Sequence, residues 1–263
     1  MDLELSDKVA IVGGSSKGIG LAIAQALSAE GACITITARR EEELKTAAES
    51  IRSKTGGSVL TIPGDVSKAE DNARVVDETI RTFGRVNILV NNDGAPPIGL
   101  FDKFDDITWT QAFQQNLMSV VRMIRLTVPH MRAAGGGRII NIMAATVKQP
   151  LSGFSLSVAT WAGVIGLAKT LALELGLAGI TVNNVCVGRI ATARLEKVLT
   201  KRAQREGRDL VDVRQDIIKD IPLGRFGTPE DIAGFVAFLA SGRGGFITGT
   251  TVQVDGGLVR GLL

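Results

Sequence analysis

The sequence predicts one α/β domain built on a parallel sheet with helices on both faces. Three observations carry that prediction. Strand-length apolar runs alternate with segments of helical period along the whole chain, the pattern of successive strand–helix units. The strand runs are apolar at consecutive positions rather than at every second one, which marks strands buried on both sides. No linker, internal repeat or low-complexity tract interrupts the alternation, and 263 residues of 45% hydrophobic content suffice for one large core. Residues 1–263 therefore read as a single domain.

Residues 8–13 form a short apolar run, the first strand. Residues 18–30 repeat small and apolar side chains at helical spacing and stop at Gly31, a residue suited to a helix end. A second strand spans 32–38, a charged amphipathic helix 41–54, and a third strand 59–63. Ser67-Lys68-Ala69-Glu70 has the capping-box pattern and opens a helix to Phe83. A fourth strand at 87–90 leads to a long helical region at about 106–134. A fifth strand follows at 138–143, a long apolar helix at 155–178 and a sixth strand at 180–187. Residues 194–220 are highly charged and weakly periodic. They read either as a solvated helical excursion or as part of a substrate lid at about 192–222, because ligands in such folds bind beyond the carboxyl ends of the strands. Thr228-Pro229-Glu230-Asp231 starts the last helix, with Thr228 as N-cap, Pro229 in the first helical position and acid in the first turn. The seventh strand is 250–254.

Composition excludes several function classes. The net charge is +3 and its charges are spread along the chain, too dilute for a nucleic-acid footprint. The single histidine, His130, follows Pro129 in a helical stretch and reads as structural; without a Cys/His cluster no metal site is expected. Cys33 and Cys186 lie in apolar strand-like runs and read as buried free thiols, which suits a reducing cytoplasm. No stretch approaches 18 uninterrupted apolar residues, and Met1-Asp2-Leu3-Glu4-Leu5 has no apolar leader character. A cytoplasmic protein without a membrane span is the expectation.

The first strand and first helix are joined by Gly13-Gly14-Ser15-Ser16-Lys17-Gly18-Ile19-Gly20. Glycines let the backbone turn tightly and approach a pyrophosphate, and the helix N-terminus supplies free N–H groups and the positive end of its dipole. Such a loop alone is weak evidence. It has company: Asp65-Val66 after the third strand, Asn91-Asn92-Asp93-Gly94 after the fourth, Asn116 in the following helix, Gly188 after the sixth, and Ile247-Thr248-Gly249 with Val254-Asp255-Gly256-Gly257 near the end. Together these resemble the short-chain dehydrogenase/reductase family, and within it the 3-oxoacyl-carrier-protein-reductase-like members, over residues 8–257.

The resemblance implies a Rossmann-like, doubly wound sheet of seven strands in the order 3-2-1-4-5-6-7. It implies that Gly14, Ser16, Lys17, Gly18, Ile19 and Gly20 cradle a pyrophosphate, and that Asp65 and Val66 border the adenine. Asn91 would brace the ribose side with Gly94 beside it, and Gly188, Ile190 and Thr192 would meet the nicotinamide end. The cofactor preference follows from charge. NAD usage favours an acid at the end of the second strand, but Ala38 stands there, followed by Arg39 and Arg40. Guanidinium groups hold a 2′-phosphate well, and Lys17 could reach the same group, so NADP(H) is preferred with NAD(H) as the alternative. Such proteins associate through the helices that here are about 106–134 and 155–178, usually as tetramers. A homotetramer is expected, or a hetero-oligomer with an active relative.

The reaction site departs from the family pattern. The family protonates its substrate with a tyrosine, lowers that phenol's pKa with a lysine one turn on, and adds a serine and an asparagine. The asparagine matches Asn116. Anchored on the run from Ala162 to Ala172, the tyrosine falls on Ser157, the lysine on Trp161 and the serine on Ala144. The chain contains no tyrosine at all. Lys169 lies eight residues beyond Trp161, roughly 12 Å along the helix axis, and cannot substitute. Loss of a positioned acid costs about 10²–10⁴-fold, and loss of an oxyanion donor about 10²–10³ more.

Other groups stand nearby in sequence. Lys148 follows Ala144 on a loop expected to wall the site and would be a proton donor there; its bland alternative is a solvated loop charge. Arg189 could pair with an anionic small-molecule substrate or simply be solvated. Asp93 reads as a turn residue, and Ser152, Ser155 and Ser157 as caps. Trp161 could fill the volume vacated by Tyr and Lys and leave a drier pocket. Two functions follow. One is an atypical NADP(H)-dependent oxidoreductase acting on a carbonyl, alcohol or enone without the usual Ser-Tyr-Lys. The other is a non-catalytic, nucleotide-binding pseudoenzyme subunit.

Overall fold

Seven strands lie side by side in one parallel sheet. In the computed structural model, which describes residues 2–92, 94 and 96–262, they are β1 (Val9–Val12), β2 (Cys33–Ala38), β3 (Val59–Pro63), β4 (Ile88–Asn91), β5 (Gly137–Ala144), β6 (Ile180–Val187) and β7 (Thr251–Val254). Their order is β3-β2-β1-β4-β5-β6-β7, as the resemblance implied. Every adjacent pair is parallel. The chain reverses its direction of travel across the sheet between β1 and β4, and such a switch opens a crevice at the carboxyl ends of the strands.

Strand alternation divides the core in two. One face packs Ile34, Ile36 and Val90 against α1 (Gly18–Ala29), α2 (Glu41–Thr55) and α9 (Pro229–Ala240) through Ile23, Leu44 and Val236. The other packs Ile11, Leu89 and Ile139 against α3 (Ala69–Phe83), α5 (Ser119–Ala133) and α6 (Ser155–Leu175) through Val75, Met123 and Val164.

Within the second face runs a polar row. Asn91 Nδ2 donates to Asn141 Oδ1 (2.8 Å), Asn141 Nδ2 to Asn184 Oδ1 (2.9 Å), and Asn184 Nδ2 to Thr251 Oγ1 (3.1 Å). These residues are direct register partners on β4, β5, β6 and β7. All three asparagines are buried, so the amides satisfy one another.

The helices depart from expectation in three places. Ser67 does not cap α3: its hydroxyl and its N–H both donate to Asp65 Oδ1 (2.7 and 3.0 Å), so it is committed upstream and the helix begins at Ala69 after an uncapped Lys68. The long helix at 106–134 is three consecutive pieces, α4 (Asp106–Phe113), a π turn (Gln114–Met118) and α5. Asp105 caps the first of them by accepting from Thr108 N (2.8 Å). The helix from Ser155 stops at Leu175 and finishes in a 3₁₀ turn, Gly176–Ala178. Taken with that turn it is long and apolar enough to cross a membrane by length and composition. Here Leu156, Trp161, Val164 and Ala168 bury one side of it.

Residues 194–220 fold as two helices, α7 (Ala193–Glu206) and α8 (Leu210–Lys219). They enclose a small core of their own, Leu199, Val213, Ile217 and Phe226, with Arg214 and Glu196 paired outside it (2.6 Å). Thr228 and Asp231 form the reciprocal cap expected for α9. Both cysteines are free; Cys186 is buried, and burial pushes its thiol up to about 12, whereas Cys33 is only half-buried, at the start of an outer-lying strand.

Replacing Asn141 with alanine would strand the donor of Asn91 and the acceptor of Asn184. At about 1–3 kcal/mol for each stranded group, N141A lowers the unfolding free energy in a urea titration by about 2–6 kcal/mol. An unchanged unfolding curve would show that the row contributes nothing.

Candidate active site

The glycine loop lies between the end of β1 and the start of α1. Gly14 and Gly18 take φ of 54° and 59°, where a side chain is strained. A Cβ on Gly14 would strike the Asn92 carbonyl, and one on Gly20 the Gly14 carbonyl. The loop is thus drawn tight against the end of β4, where Asn92 Nδ2 donates to Gly13 O (3.1 Å). Buried Ser15 ties it to β2: its hydroxyl donates to Val12 O (2.7 Å) and accepts from Thr37 N (3.0 Å). Lys17, the N-cap of α1, makes no side-chain cap, and the first turn holds no acid. Its leading N–H groups and positive dipole end stay open to an anion. This cradle fits a dinucleotide pyrophosphate, with Ser16, Lys17, Ile19 and the glycines where the sequence put them.

The adenosine end carries a residue that the sequence reading overlooked. Glu43, in the third position of α2, pairs with Arg40 (2.7 Å) and Lys17 (3.4 Å) and accepts from Ser16 Oγ (3.4 Å). The end of β2 lacks an acid, as expected, but a carboxylate reaches its cations from the next helix. Exposed Arg39 makes no ion pair among the described residues. The i,i+3 spacing from Arg40 was the signal that could have revealed Glu43. Asp65, Val66 and Asn91 converge with Gly13 on one small cleft at the ends of β1, β3 and β4.

Beyond the loop lies a cavity of about 550 Å³ at the carboxyl ends of β4, β5 and β6. Ile19, Gly94, Gly188, Ile190 and Thr192 line its cofactor-facing side. Ala144, Ser157 and Trp161 all line it too, so the three positions aligned with the family's serine, tyrosine and lysine meet in one place. Ser157 is 2% exposed, and its hydroxyl has no protein partner among the described residues. Trp161 is 9% exposed and belongs to the core beneath, filling space as its size suggested.

Other candidates lie elsewhere. Asn116 sits in the π turn, buried behind the wall; its Nδ2 donates to Thr160 Oγ1 (3.1 Å) and its Oδ1 has no partner among the described residues. Lys148 follows the short 3₁₀ turn Ala145–Val147 and is absent from the described lining. The serines do not cap α6: Phe154 holds that position, and the Ser155 hydroxyl is buried without a partner among the described residues. Asp93 lies outside the described residues. Arg189 does line the cavity, half-buried, and burial, reinforced by the charge of Arg202, depresses its guanidinium against the opposing pull of Asp220.

Two arginines that sequence reasoning missed join it, Arg194 and Arg260. Arg194 had a legible signal: a cation in the first turn of a helix runs against the dipole. Arg260 had none.

A family model described as enoyl-(acyl carrier protein) reductase matches residues 14–259. Dehydrogenase/reductase SDR family member 4 of Caenorhabditis elegans is 37% identical over 253 residues, 95% of each chain. The chain belongs to the short-chain dehydrogenase/reductase family. The 3-oxoacyl-(acyl-carrier-protein) reductase FabG of Haemophilus influenzae is 38% identical over 254 residues, 97% of this chain and 99% of its own. The L-sorbose reductase of Gluconobacter frateurii, solved with NADPH and L-sorbose, superposes with a TM-score of 0.96 at 36% identity over 100% of both chains. Unlike the family pattern, the cavity of this short-chain dehydrogenase/reductase has no tyrosine, lysine, histidine or cysteine among its described lining residues. Its charged side chains there are Arg189, Arg194, Arg260 and Asp220.

Glu43 pairs with Lys17 and Arg40, the cations expected to meet a 2′-phosphate. Exposed pairs of this kind are weak, so E43Q tightens NADPH binding only about 1.5- to 5-fold and leaves NADH unchanged. Calorimetric titration reads both; equal tightening of NADH would place Glu43's effect elsewhere.

Proposed function

We propose that this protein is an NADP(H)-dependent oxidoreductase of a carbonyl, alcohol or enone, working without the Ser-Tyr-Lys set. One observation carries the reading: the dinucleotide cradle and the cavity are continuous, since Ile19 and Thr192 belong to both. The NADPH complexes among the structural relatives support the cofactor. When bound, the nicotinamide ring supplies or accepts the hydride.

The chain's own residues do the rest. The glycine loop and α1 bind the pyrophosphate, and Arg39, Arg40 and Lys17 the 2′-phosphate. Gly188, Ile190 and Thr192 bound the nicotinamide end. The unpartnered Ser157 hydroxyl donates a hydrogen bond to the substrate oxygen, while Trp161 and Met143 keep that wall apolar. A serine hydroxyl is too weak an acid to release the proton at neutral pH, and arginine does not release one. Water entering the cavity, or the substrate itself, is the proton source, and α7–α8 act as the lid. Assembly is through α5 and α6 as a homotetramer.

A second reading, the non-catalytic subunit of a hetero-oligomer, is favoured by the absence of any phenol or ammonium from the described wall. Leu173 on α6 and Leu177 just past it, 80% and fully exposed, give either assembly an apolar surface to bury.

The test is to titrate NADPH and NADH, then mix the NADPH complex rapidly with aldehydes, ketones and enones and follow nucleotide oxidation. The account expects NADPH to bind more tightly than NADH, and one substrate class to turn over about 10²–10⁴-fold below a site with a positioned acid. Tight binding without oxidation in any class establishes the second reading. No affinity for either nucleotide removes both.

A further inference from the structure

The cavity holds more positive charge than a neutral carbonyl substrate needs. Arg189 stands at the carboxyl end of β6, half-buried in the wall, with no hydrogen bond or ion pair from its guanidinium among the described residues. Arg194, in the first turn of α7, stands on the same cavity and is likewise unpaired, though exposed at the rim. Arg260 completes the set from the C-terminal segment. The one carboxylate in the described lining is Asp220, exposed at the rim. A guanidinium held partly out of water without a partner is costly, and the first turn of a helix is a poor place for a cation. Both costs are offset when an anion sits between the arginines, and the dipole of α7 then favours it as well.

The cofactor's own phosphates lie too far away to be the anion at Arg189. Its pyrophosphate belongs at the start of α1, beside β1, and its 2′-phosphate at the end of β2. In the order β2-β1-β4-β5-β6, Arg189 is three strand steps from β1 and four from β2. At about 4.8 Å per step these are roughly 14 and 19 Å. The remaining wall is mostly apolar, with Met143, Phe154, Trp161, Leu195, Val198 and Leu258.

We infer that the cavity takes an amphipathic anion, a carbonyl compound with an apolar body and a carboxylate or phosphate head held by Arg189 and Arg194. This deepens the oxidoreductase reading, on which the word carbonyl rests; the binding of the anion does not depend on it. Asp220 tempers the affinity by competing for Arg189.

Calorimetry on the full chain, with and without NADPH, tests it with octanoate, octanamide and octyl phosphate as probes. Octanoate or octyl phosphate binds at least about tenfold more tightly than octanamide, the gap expected for a charge-assisted pair. The tighter of the two anions identifies the head group. R189Q and R194Q each reduce the preference severalfold, D220N increases it, and NADPH affinity in R189Q stays within about twofold of the parent. Equal affinity for octanamide, no binding of either anion, or a folded R189Q that keeps the full preference overturns the proposal. Should R189Q fail to fold, R194Q and D220N decide. Anion binding that persists in a protein with no affinity for NADPH leaves this site standing and removes the oxidoreductase reading alone.

Discussion

A hydrogen bond handed sideways from Asn91 to Asn141 to Asn184 to Thr251 holds the working end of this molecule in line. Parallel strands are joined only through distant helices, so nothing local fixes how far each slides past the next. A one-residue slip would turn every side chain to the opposite face. It would also break a row of buried amides, leaving several polar groups unpaired at about 1–3 kcal/mol each. The row therefore selects one register for β4 to β7, and that register makes β5 and β6 end together, Ala144 against Val187. The cavity stands on those ends.

Much of this was legible in advance. Buried parallel strands announce themselves as continuous apolar runs, and all seven were found within one or two residues. The glycine loop was legible because only glycine tolerates the backbone of Gly14 and the close approach of Asn92. What escaped was tertiary. Ser67 matched a capping pattern, yet Asp65 two residues upstream took its hydroxyl first. The π turn at Asn116 left no mark on a helical period. Lys148 is four residues from Ala144 in sequence, but beyond the 3₁₀ turn between them it is absent from the described wall. Arg260 joins the cavity from the far end of the chain, a contact that no spacing rule reveals.

The site divides its labour by position across the sheet. On the β1–β2 side, backbone N–H groups and basic side chains await phosphates, moderated by Glu43. On the β5–β6 side, the wall holds Ala144, Ser157 and Trp161 where the resemblance aligns the family's serine, tyrosine and lysine, and they offer one hydroxyl and one large ring. Trp161 occupies volume without charge, so no ammonium is left there to strengthen a neighbouring acid. The cations that remain in the wall are guanidiniums, which orient and attract but hold their protons. The chemistry we propose for this arrangement is hydride transfer steered by binding.

The central claim, that a working nucleotide site has been parted from its acid by three substitutions in one cavity, is tested most directly by reversing them. In A144S/S157Y/W161K, NADPH oxidation by simple ketones should rise by at least about 10²-fold over the parent, with NADPH affinity little changed. A folded triple variant that binds NADPH and reduces ketones no faster than the parent would contradict the account.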